Sequence, residues 1–489
     1  MNEQEVSTFS ERSGWVEHAG TWKWASWCLT ECSRTARQGA SSEERRVTTV
    51  SETTTTDDQR ISVGFLGPQP YMKHALDVLG ETYDVHVLNP KGWSDEEMDA
   101  IAADCREKGI QAVAGYAQKD AYHHILINER LGNPVPRRKA FLHCMNKYLM
   151  RTLEADPFWF VAIDPLHQSD EEIIDSIAEW PFMLKNTSLS LGRGIYRIKD
   201  ADELRRVLAE YRANTELQEH IASDVAAYTK AMEDDMPPVV PPFIGEHLVD
   251  MKTCVEYCYE GYITADGEIV HYALTEEVYF DAHQALGYIT PPISLGTEKI
   301  NEIEAWVEDY MGRMRDLGYL NQFFNLEFWI MGDGTLALTE INPRAAHSYH
   351  YNYEYSFGVS LYGDNLELAR TGKKLEHKTP WHKWRDNETK CFTLIALITS
   401  QVPGKVSDIL DYDYVDQLEQ EEGVLIRHTR QRDDVLTSED MTAAGVMLQQ
   451  MWLTGETRED VIAREREIRS KIYRDQNHNG SEKYPSYWK

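Results

Sequence analysis

The stretch FNLEFWIMGDGTLALTEINPR, residues 324–344, constrains the fold more than any other segment of this chain. Two apolar runs flank Asp333-Gly334, a dipeptide typical of a β-hairpin turn in which both central residues take positive φ. With those two residues as the turn, Glu327 lies directly opposite Glu340 on the same face of the ribbon. The segment therefore predicts a hairpin whose strands carry facing carboxylates.

Facing carboxylates on a half-buried ribbon repel each other unless a cation neutralises them. Asn342 lies two residues beyond Glu340 on the same face, and carboxylate and amide oxygens are hard ligands that suit Mg²⁺. Arg344, two residues further on, offers a planar cation that can bind an anion beside the metal. A solvated edge ribbon is the alternative, but the flanking residues are apolar and carboxylates are seldom buried unpaired.

These residues resemble the metal-binding segment of the ATP-grasp superfamily, which has a Glu on one strand and E-x-N-x-R on the next. The matching residues are Glu327, then Glu340, Asn342 and Arg344. The resemblance implies that both acids and Asn342 bind two Mg²⁺ ions, for which Mn²⁺ can substitute, at the phosphates of ATP. It also implies that Arg344 is the catalytic residue, and it covers roughly residues 61–475.

By the same resemblance, residues upstream of the hairpin contact ATP. Lys147 opens a helical run and Lys185 ends a strand, where the family has phosphate-binding lysines. Glycines and small hydroxyl residues follow Lys185, and such residues let backbone N–H groups approach phosphate oxygens closely. The candidate loop residues are Ser188, Ser190, Gly192 and Gly194.

The hinge that reads adenine is expected in IGEHLVDMKTCVE, residues 244–256. Glu246, Leu248 and Glu256 match the family pattern there. LQEHI, residues 217–221, is a competing match. The later segment is preferred because it runs directly into an apolar strand.

The resemblance implies a carboxylate–amine ligase of the amino acid or peptide branch. Such an enzyme joins an amino acid or a small natural-product acid to an amine through an acyl-phosphate and releases ADP and phosphate. Lysines, an arginine and metal ions around a triphosphate suit catalysis by positioning and charge stabilisation without a protein nucleophile. His347, Tyr349 and His350 follow Arg344 and are candidate substrate residues, with core packing as the alternative.

Two other functions stay open. One is a biotin carboxylase-like carboxylation, although residues 275–298 contain no Lys for bicarbonate and no biotinyl A-M-K-M segment is present. The other is a regulatory protein that binds ATP without turning it over. The complete set of lysines, acids and arginine argues against that second alternative.

The expected fold class combines α/β and α+β domains. Alternating short strands and helices from Ile61 predict an open parallel sheet, and the later strands predict antiparallel pairing. The expected division is a disordered extension (1–60), a Rossmann-like pre-ATP-grasp domain (61–135), a two-subdomain ATP-grasp domain (136–375, with a lid at about 155–245), a small α+β C-terminal domain (376–475) and a polar tail (476–489).

Composition indicates which classes of partner and which cellular compartment to expect. The formal charge of −31 disfavours nucleic acid as the main partner, because an acidic surface repels phosphate backbones. The longest apolar run, CFTLIALIT, is too short to span a bilayer, and no secretory leader opens the chain. Seven cysteines without zinc-site spacing suit a reducing compartment. We therefore expect a cytoplasmic enzyme with small-molecule substrates, and the sequence also allows a homodimer.

Overall fold

A computed structural model describes residues 60–188, 194–229, 240–250, 253–279, 285–293, 295–441 and 445–476. The predicted disordered extension lies outside these residues except for Arg60, and the polar tail lies outside them beyond Gln476. No helix of the described residues is both long enough and apolar enough to cross a membrane.

The described chain begins with a three-stranded parallel sheet in the order β2-β1-β3, which confirms the predicted parallel sheet. Helix α2 begins where Ser94 Oγ accepts a hydrogen bond from the Glu97 N–H, and its acidic first turn complements the helix dipole. The elements are β1 (Ile61–Leu66), α1 (Lys73–Thr82), β2 (Tyr83–Leu88), α2 (Asp95–Glu107), β3 (Val113–Ala114) and α3 (Gln118–Leu131).

The segment KAFLHCMNKYLMRTLEAD, residues 139–156, does not form one continuous helix. The segment forms two helices, α4 (Arg138–Met145) and α5 (Lys147–Arg151). Asn146 has extended backbone angles between them, and its side chain accepts a hydrogen bond from the Leu149 N–H. The Lys147 N–H is then available to donate to the Thr187 carbonyl (2.9 Å), so the break fixes where Lys147 starts its helix.

A four-stranded antiparallel sheet in the order β4-β7-β5-β6 follows. Buried side chains such as Phe182, Leu184 and Phe243 pack against the helices that cover it. The elements are β4 (Phe160–Ile163), α6 (Asp170–Asp175), β5 (Phe182–Asn186), β6 (Ile195–Ile198), α7 (Ala201–Ala213), α8 (Thr215–Thr229) and β7 (Phe243–Glu246).

The largest sheet has eight strands in the order β12-β11-β8-β9-β10-β13-β17-β15, and every pair in it is antiparallel. Its first five strands and their long helix are β8 (Val255–Ile263), β9 (Ile269–Tyr279), β10 (Ala285–Thr290), α9 (Thr297–Asp316), β11 (Gln322–Ile330) and β12 (Leu336–Asn342).

The C-terminal segment extends this sheet instead of forming a large sheet of its own, because β13 pairs with β10. Only β14 and β16 pair separately, in a two-stranded ribbon. The elements are α10 (His350–Phe357), α11 (Leu361–Thr371), α12 (Pro380–Arg385), β13 (Phe392–Ser400), β14 (Gly404–Lys405), α13 (Val406–Ile409), α14 (Tyr412–Leu418), β15 (Val424–His428), β16 (Val435–Leu436), β17 (Val446–Gly455) and α15 (Arg458–Ile472).

The two faces of the large sheet differ in chemistry. On one face Tyr257 and Tyr259 pack with Val307 of α9 in a buried apolar cluster. Successive side chains of a strand point to opposite faces, so Glu256 and Glu260 of the same strand lie on the other face. That polar face carries the residues described next.

Candidate functional site

The predicted hairpin forms, and its carboxylates face each other as expected. β11 and β12 pair with Glu327 opposite Glu340 and with Asn325 opposite Asn342. The Asn342 amide donates to Asn325 Oδ1 (3.2 Å), Glu327 Oε1 (3.3 Å) and Glu340 Oε1 (3.5 Å). The side chains therefore converge on one side of the ribbon.

The turn of this hairpin differs from the prediction. The Met331 N–H donates to the Thr335 carbonyl (2.8 Å), so the loop has three residues instead of two. Gly334 has φ 91°, but Asp333 is not among the residues with positive φ. A β-bulge directly after Glu327 then shifts the pairing by one residue. The two offsets cancel, which restores the predicted register at the carboxylates.

The carboxylate pair is electrostatically incomplete without a cation. Burial raises the pKa of Glu327 well above its usual range, and the charges of Glu340 and Glu256 raise it further. Lys147 Nζ lies 3.6 Å from Glu340 Oε2. The charges of Arg344 and Lys147 only partly offset these effects on the pKa of Glu327, so a divalent cation between the carboxylates would stabilise their charged forms.

Lys147 and Lys185 lie together, although they belong to different elements. Burial holds the pKa of Lys147 below its usual range, and the charge of Lys185 adds to this effect while Glu340 opposes it. Lys185 is the penultimate residue of β5, and its Nζ lies 2.5 Å from Glu246 Oε1. Two neighbouring lysines in a largely buried position have the charge that phosphate oxygens require, and their role in binding phosphate stays a prediction.

Glu246 holds this basic group in place. Its second carboxylate oxygen pairs with Arg151 Nε (3.2 Å). Although burial acts in the opposite direction, the charges of Lys185 and Arg151 lower the pKa of Glu246 to about 2. The predicted adenine-contact residue is therefore also an ion-pair partner of the predicted phosphate-binding lysine.

The structure separates the two candidate hinge segments. Residues 217–221 lie within helix α8, whereas residues 244–246 end strand β7 next to Lys185. Leu248 follows the strand and is partly exposed. This arrangement supports the later segment, because it continues from the sheet that carries Lys185 towards β8.

The loop after Lys185 is described only at its ends. The Ser188 N–H donates to Asn186 Oδ1 (3.0 Å), and Gly194 has φ 67°, a conformation that suits glycine. Ser190 and Gly192 lie outside the described residues. Their predicted phosphate contacts stay predictions.

A second pair of carboxylates, which was not predicted from the sequence, lies on the same sheet face. Glu256 of β8 lies directly opposite Glu277 of β9, and the two residues are 3% and 7% exposed. Burial, together with the charge of Glu327, raises the pKa of Glu277 to about 8. Glu256 was predicted in the hinge, but its side chain lies on this polar face. Cys258 is the β8 residue opposite Glu327, and Glu256 precedes it by two residues.

Glu260 is a third buried acid on this face. It accepts hydrogen bonds from the Ala346 N–H (3.0 Å) and from Asn325 Nδ2 (3.1 Å). Burial raises the pKa of Glu260 to about 8, although the two donors and the Arg344 charge act in the opposite direction. Glu260 thus ties the backbone just after Arg344 to the strand that carries Glu327.

The three residues predicted to contact substrate have different surroundings. His350 is 1% exposed and its ring stacks on Tyr362 at 3.9 Å, so it packs in the core. Tyr349 is 4% exposed and packs edge-on against Tyr288. His347 alone of the three is only partly buried, and its Nδ1 is hydrogen bonded to the Tyr71 hydroxyl.

The donor set fits magnesium. Two carboxylates and one amide supply hard oxygen ligands, and rotation of the Asn342 amide presents its oxygen to the carboxylate side. In the part of the chain that the structure describes, no group of three or more His, Cys, Asp or Glu side chains has the geometry of a metal site. Glu327, Glu340 and Asn342 supply three ligand side chains, so phosphate oxygens and water would complete the coordination of an ion held there.

Solved structures share this architecture. An L-amino acid ligase from Bacillus licheniformis superposes with a TM-score of 0.64 at 15% identity, over 85% of this chain and 98% of that one. The chain has the ATP-grasp fold. The N5-carboxyaminoimidazole synthase of Aspergillus clavatus, solved with ADP and its ribonucleotide, has a TM-score of 0.57 at 14% identity, over 83% and 96% of the two chains.

A third ATP-grasp structure is the biotin carboxylase domain of the Hydrogenobacter thermophilus 2-oxoglutarate carboxylase, solved with MgADP and bicarbonate. Its TM-score is 0.56 at 15% identity, over 84% of this chain and 90% of that one. No family model matches the sequence, and no curated protein matches it either. At these identities the likeness establishes the ATP-grasp fold, and the chemistry has to be argued from the site.

Proposed function

We propose that this chain is an ATP-dependent ligase that joins a carboxylate to an amine and releases ADP and phosphate. The observation that supports it most directly is the meeting of Lys147 with the carboxylate pair, at 3.6 Å from Glu340. Lys185 adds a second cation beside Lys147. An amino acid is the proposed carboxylate substrate, because an L-amino acid ligase is among the similar structures.

In the proposed reaction a carboxylate oxygen attacks the γ-phosphorus of ATP, and the bond between that phosphorus and the ADP oxygen breaks. The amine then attacks the acyl-phosphate, phosphate leaves, and the amine loses a proton. Lys147 and Lys185 hold the phosphate charge throughout. Arg344 steadies the acyl-phosphate, because a planar guanidinium can donate two parallel hydrogen bonds to one anion.

Glu327, Glu340 and Asn342 would hold the magnesium ions, two in number, and manganese would substitute for them. When bound, these ions neutralise part of the phosphate charge that develops in the transition state. We also propose that residues from about 155 to 245, which include nearly all of the four-stranded sheet and Lys185, act as a lid over ATP. Closure of such a lid excludes water, which would otherwise hydrolyse the acyl-phosphate.

The test is ADP release measured with each of the twenty amino acids, singly and in pairs, with ATP and magnesium. We expect release that depends on an amine and a carboxylate together. Glu340→Gln should abolish it while the fold is kept, because the substitution removes charge at nearly constant volume. Glu308→Gln is the matched control, since Glu308 is exposed on α9 and should leave the rate unchanged. Full activity of Glu340→Gln would contradict the assignment of the hairpin.

A bicarbonate arm tests the second candidate. Biotin carboxylase domains share the fold, so carboxylation is a separate outcome that the same assay detects. ADP release that requires bicarbonate and no amine would favour carboxylation. ATP binding without any substrate-dependent ADP release would favour a regulatory protein.

We propose that the reaction takes place in the cytoplasm. All five described cysteines are free thiols, and three of them are buried. Free thiols suit a reducing compartment.

A further inference from the structure

Arg427 of β15 has no acidic partner among the described residues, although the chain as a whole is strongly acidic. Nearby arginines do have one, since Arg430 pairs with Asp440 and Arg432 pairs with Asp416. Arg427 is partly buried, and its Nη1 donates to Gln450 Oε1 (2.8 Å), a neutral group. A partly buried guanidinium without a carboxylate is suited to bind an anionic ligand.

Three distant parts of the chain meet at Arg427. Its guanidinium lies 4.9 Å above the centre of the Tyr71 ring. Tyr71 belongs to a short turn that precedes α1. The Tyr71 hydroxyl is hydrogen bonded to His347 Nδ1 (2.5 Å). His347 lies three residues after Arg344 and within electrostatic range of its guanidinium, so this arrangement adjoins the proposed reaction centre.

Further contacts fix these side chains before any ligand arrives. The Trp452 ring stacks on Tyr71 with centroids 5.5 Å apart, and its Nε1 donates to the Ser348 carbonyl (2.9 Å). The Tyr362 hydroxyl donates to the His347 carbonyl (2.8 Å). Rings locked by packing and hydrogen bonds hold a binding group at a defined position.

The surroundings of His347 favour its neutral form. Burial lowers the pKa of His347 to about 3, and the charges of Arg344 and Arg427 act in the same direction. When the Tyr71 hydroxyl donates to Nδ1, the imidazole hydrogen lies on Nε2. Arg427 and His347 therefore offer one positive charge and one additional N–H donor, which complements a singly charged carboxylate.

We propose that Arg427 and His347 bind the carboxylate of an α-amino acid that serves as the amine substrate. This inference rests on the proposed function and names the class of its acceptor. The amino nitrogen of an α-amino acid is two bonds from its carboxylate carbon. An acceptor held at His347 and Arg427 thus keeps its nitrogen close to an acyl group held at Arg344.

The first test uses the acceptor found in the amino acid screen, compared with its carboxamide. We expect the carboxamide to be a poor acceptor. Arg427→Gln should raise the KM of the acceptor about tenfold or more, because removal of a charge-assisted hydrogen bond usually weakens binding by that factor. The KM of ATP should stay unchanged. Equal use of acid and amide, or an unchanged acceptor KM in Arg427→Gln, would overturn the proposal. So would a change confined to the KM of the carboxylate donor.

The second test measures binding and does not need turnover. Malonate is titrated calorimetrically into the MgADP complex of the full chain, with inorganic phosphate as a separate probe. We expect malonate binding that weakens about tenfold or more in Arg427→Gln. Absent binding, equal binding by the variant, or Arg427-dependent binding of phosphate in preference to malonate would overturn the carboxylate site. Arg427-dependent malonate binding in a chain without ligase turnover would keep the site and reject the proposed function.

Arg432→Gln is the matched control for both tests. Arg432 also lies over a tyrosine ring, at 4.5 Å from the Tyr412 centroid, but it is about half exposed and pairs with an aspartate. A purely structural cation–π role for Arg427 predicts similar small losses of thermal stability in both variants and no change in acceptor KM. Arg427→Lys should recover part of the acceptor affinity, because the charge is kept and the planar geometry is lost.

Discussion

Glu260 makes the stability of the folded chain depend on pH in a predictable direction. The unfolded side chain has the ordinary pKa of 4.5, whereas burial raises the pKa in the folded protein to about 8. Between these values the folded protein keeps a proton that the unfolded chain has released. The folded state therefore loses stability as the pH rises through this range, and the stabilisation is fully present only below pH 4.5.

The size of the effect follows from the same two values. Each pH unit in this range changes the free energy of unfolding by about 1.4 kcal/mol, so the change between pH 5 and pH 8 is about 4 kcal/mol. Glu260→Gln removes this contribution. Its side-chain oxygen can still accept from the Ala346 N–H and from Asn325.

Thermal unfolding of wild type and Glu260→Gln at pH 5 and pH 8 measures the contribution, because all other titrating groups cancel in the difference. We expect the Tm of the variant minus the Tm of wild type to be larger at pH 8 than at pH 5 by roughly 5 °C. Glu246→Gln is the control. The pKa of Glu246 is about 2, so its loss should be the same at both pH values. A Glu260→Gln difference that does not change with pH would refute the reasoning.

Three further substitutions test individual contacts. Arg344→Lys should lower kcat for ADP release about tenfold or more with unchanged Tm, and an unchanged kcat would contradict a planar contact to the acyl-phosphate. Arg151→Met leaves Glu246 with Lys185 as its one cation and should lower the free energy of unfolding by about 3 kcal/mol, measured by urea unfolding. An unchanged free energy would show that Lys185 alone neutralises Glu246. Gly334→Ala should cost about 1 kcal/mol because φ is 91°, and no loss in Tm would mean that the loop adapts.

Much of the site could be predicted because it depends on local sequence. The hairpin register follows from one turn and strand alternation, and the same reasoning applies to a second hairpin. Taking Asp266-Gly267 as its turn places Glu256 opposite Glu277, as observed. There too the loop has three residues, because the Thr264 N–H donates to the Glu268 carbonyl (3.0 Å), and a bulge after Glu260 compensates. The sequence thus held a signal for the second carboxylate pair.

Other features could not be read from local sequence. The break at Asn146 depends on the Thr187 carbonyl, which accepts from Lys147 across a different element. The position of Arg427 over Tyr71 joins residues that are far apart in sequence, and no periodicity encodes such a contact. Long-range contacts of this kind arise from tertiary packing and are visible only in the fold.

The strand that carries Glu340 and Asn342 is an edge of the eight-stranded sheet, since among the described strands β12 pairs with β11 alone. An open edge invites strand addition by another chain and hence aggregation. Two features oppose this here: the bulge distorts the edge, and Arg151 Nη2 occupies the Thr339 carbonyl (3.0 Å). Arg151 therefore helps to keep the strand with the metal ligands from acting as a template for intermolecular pairing.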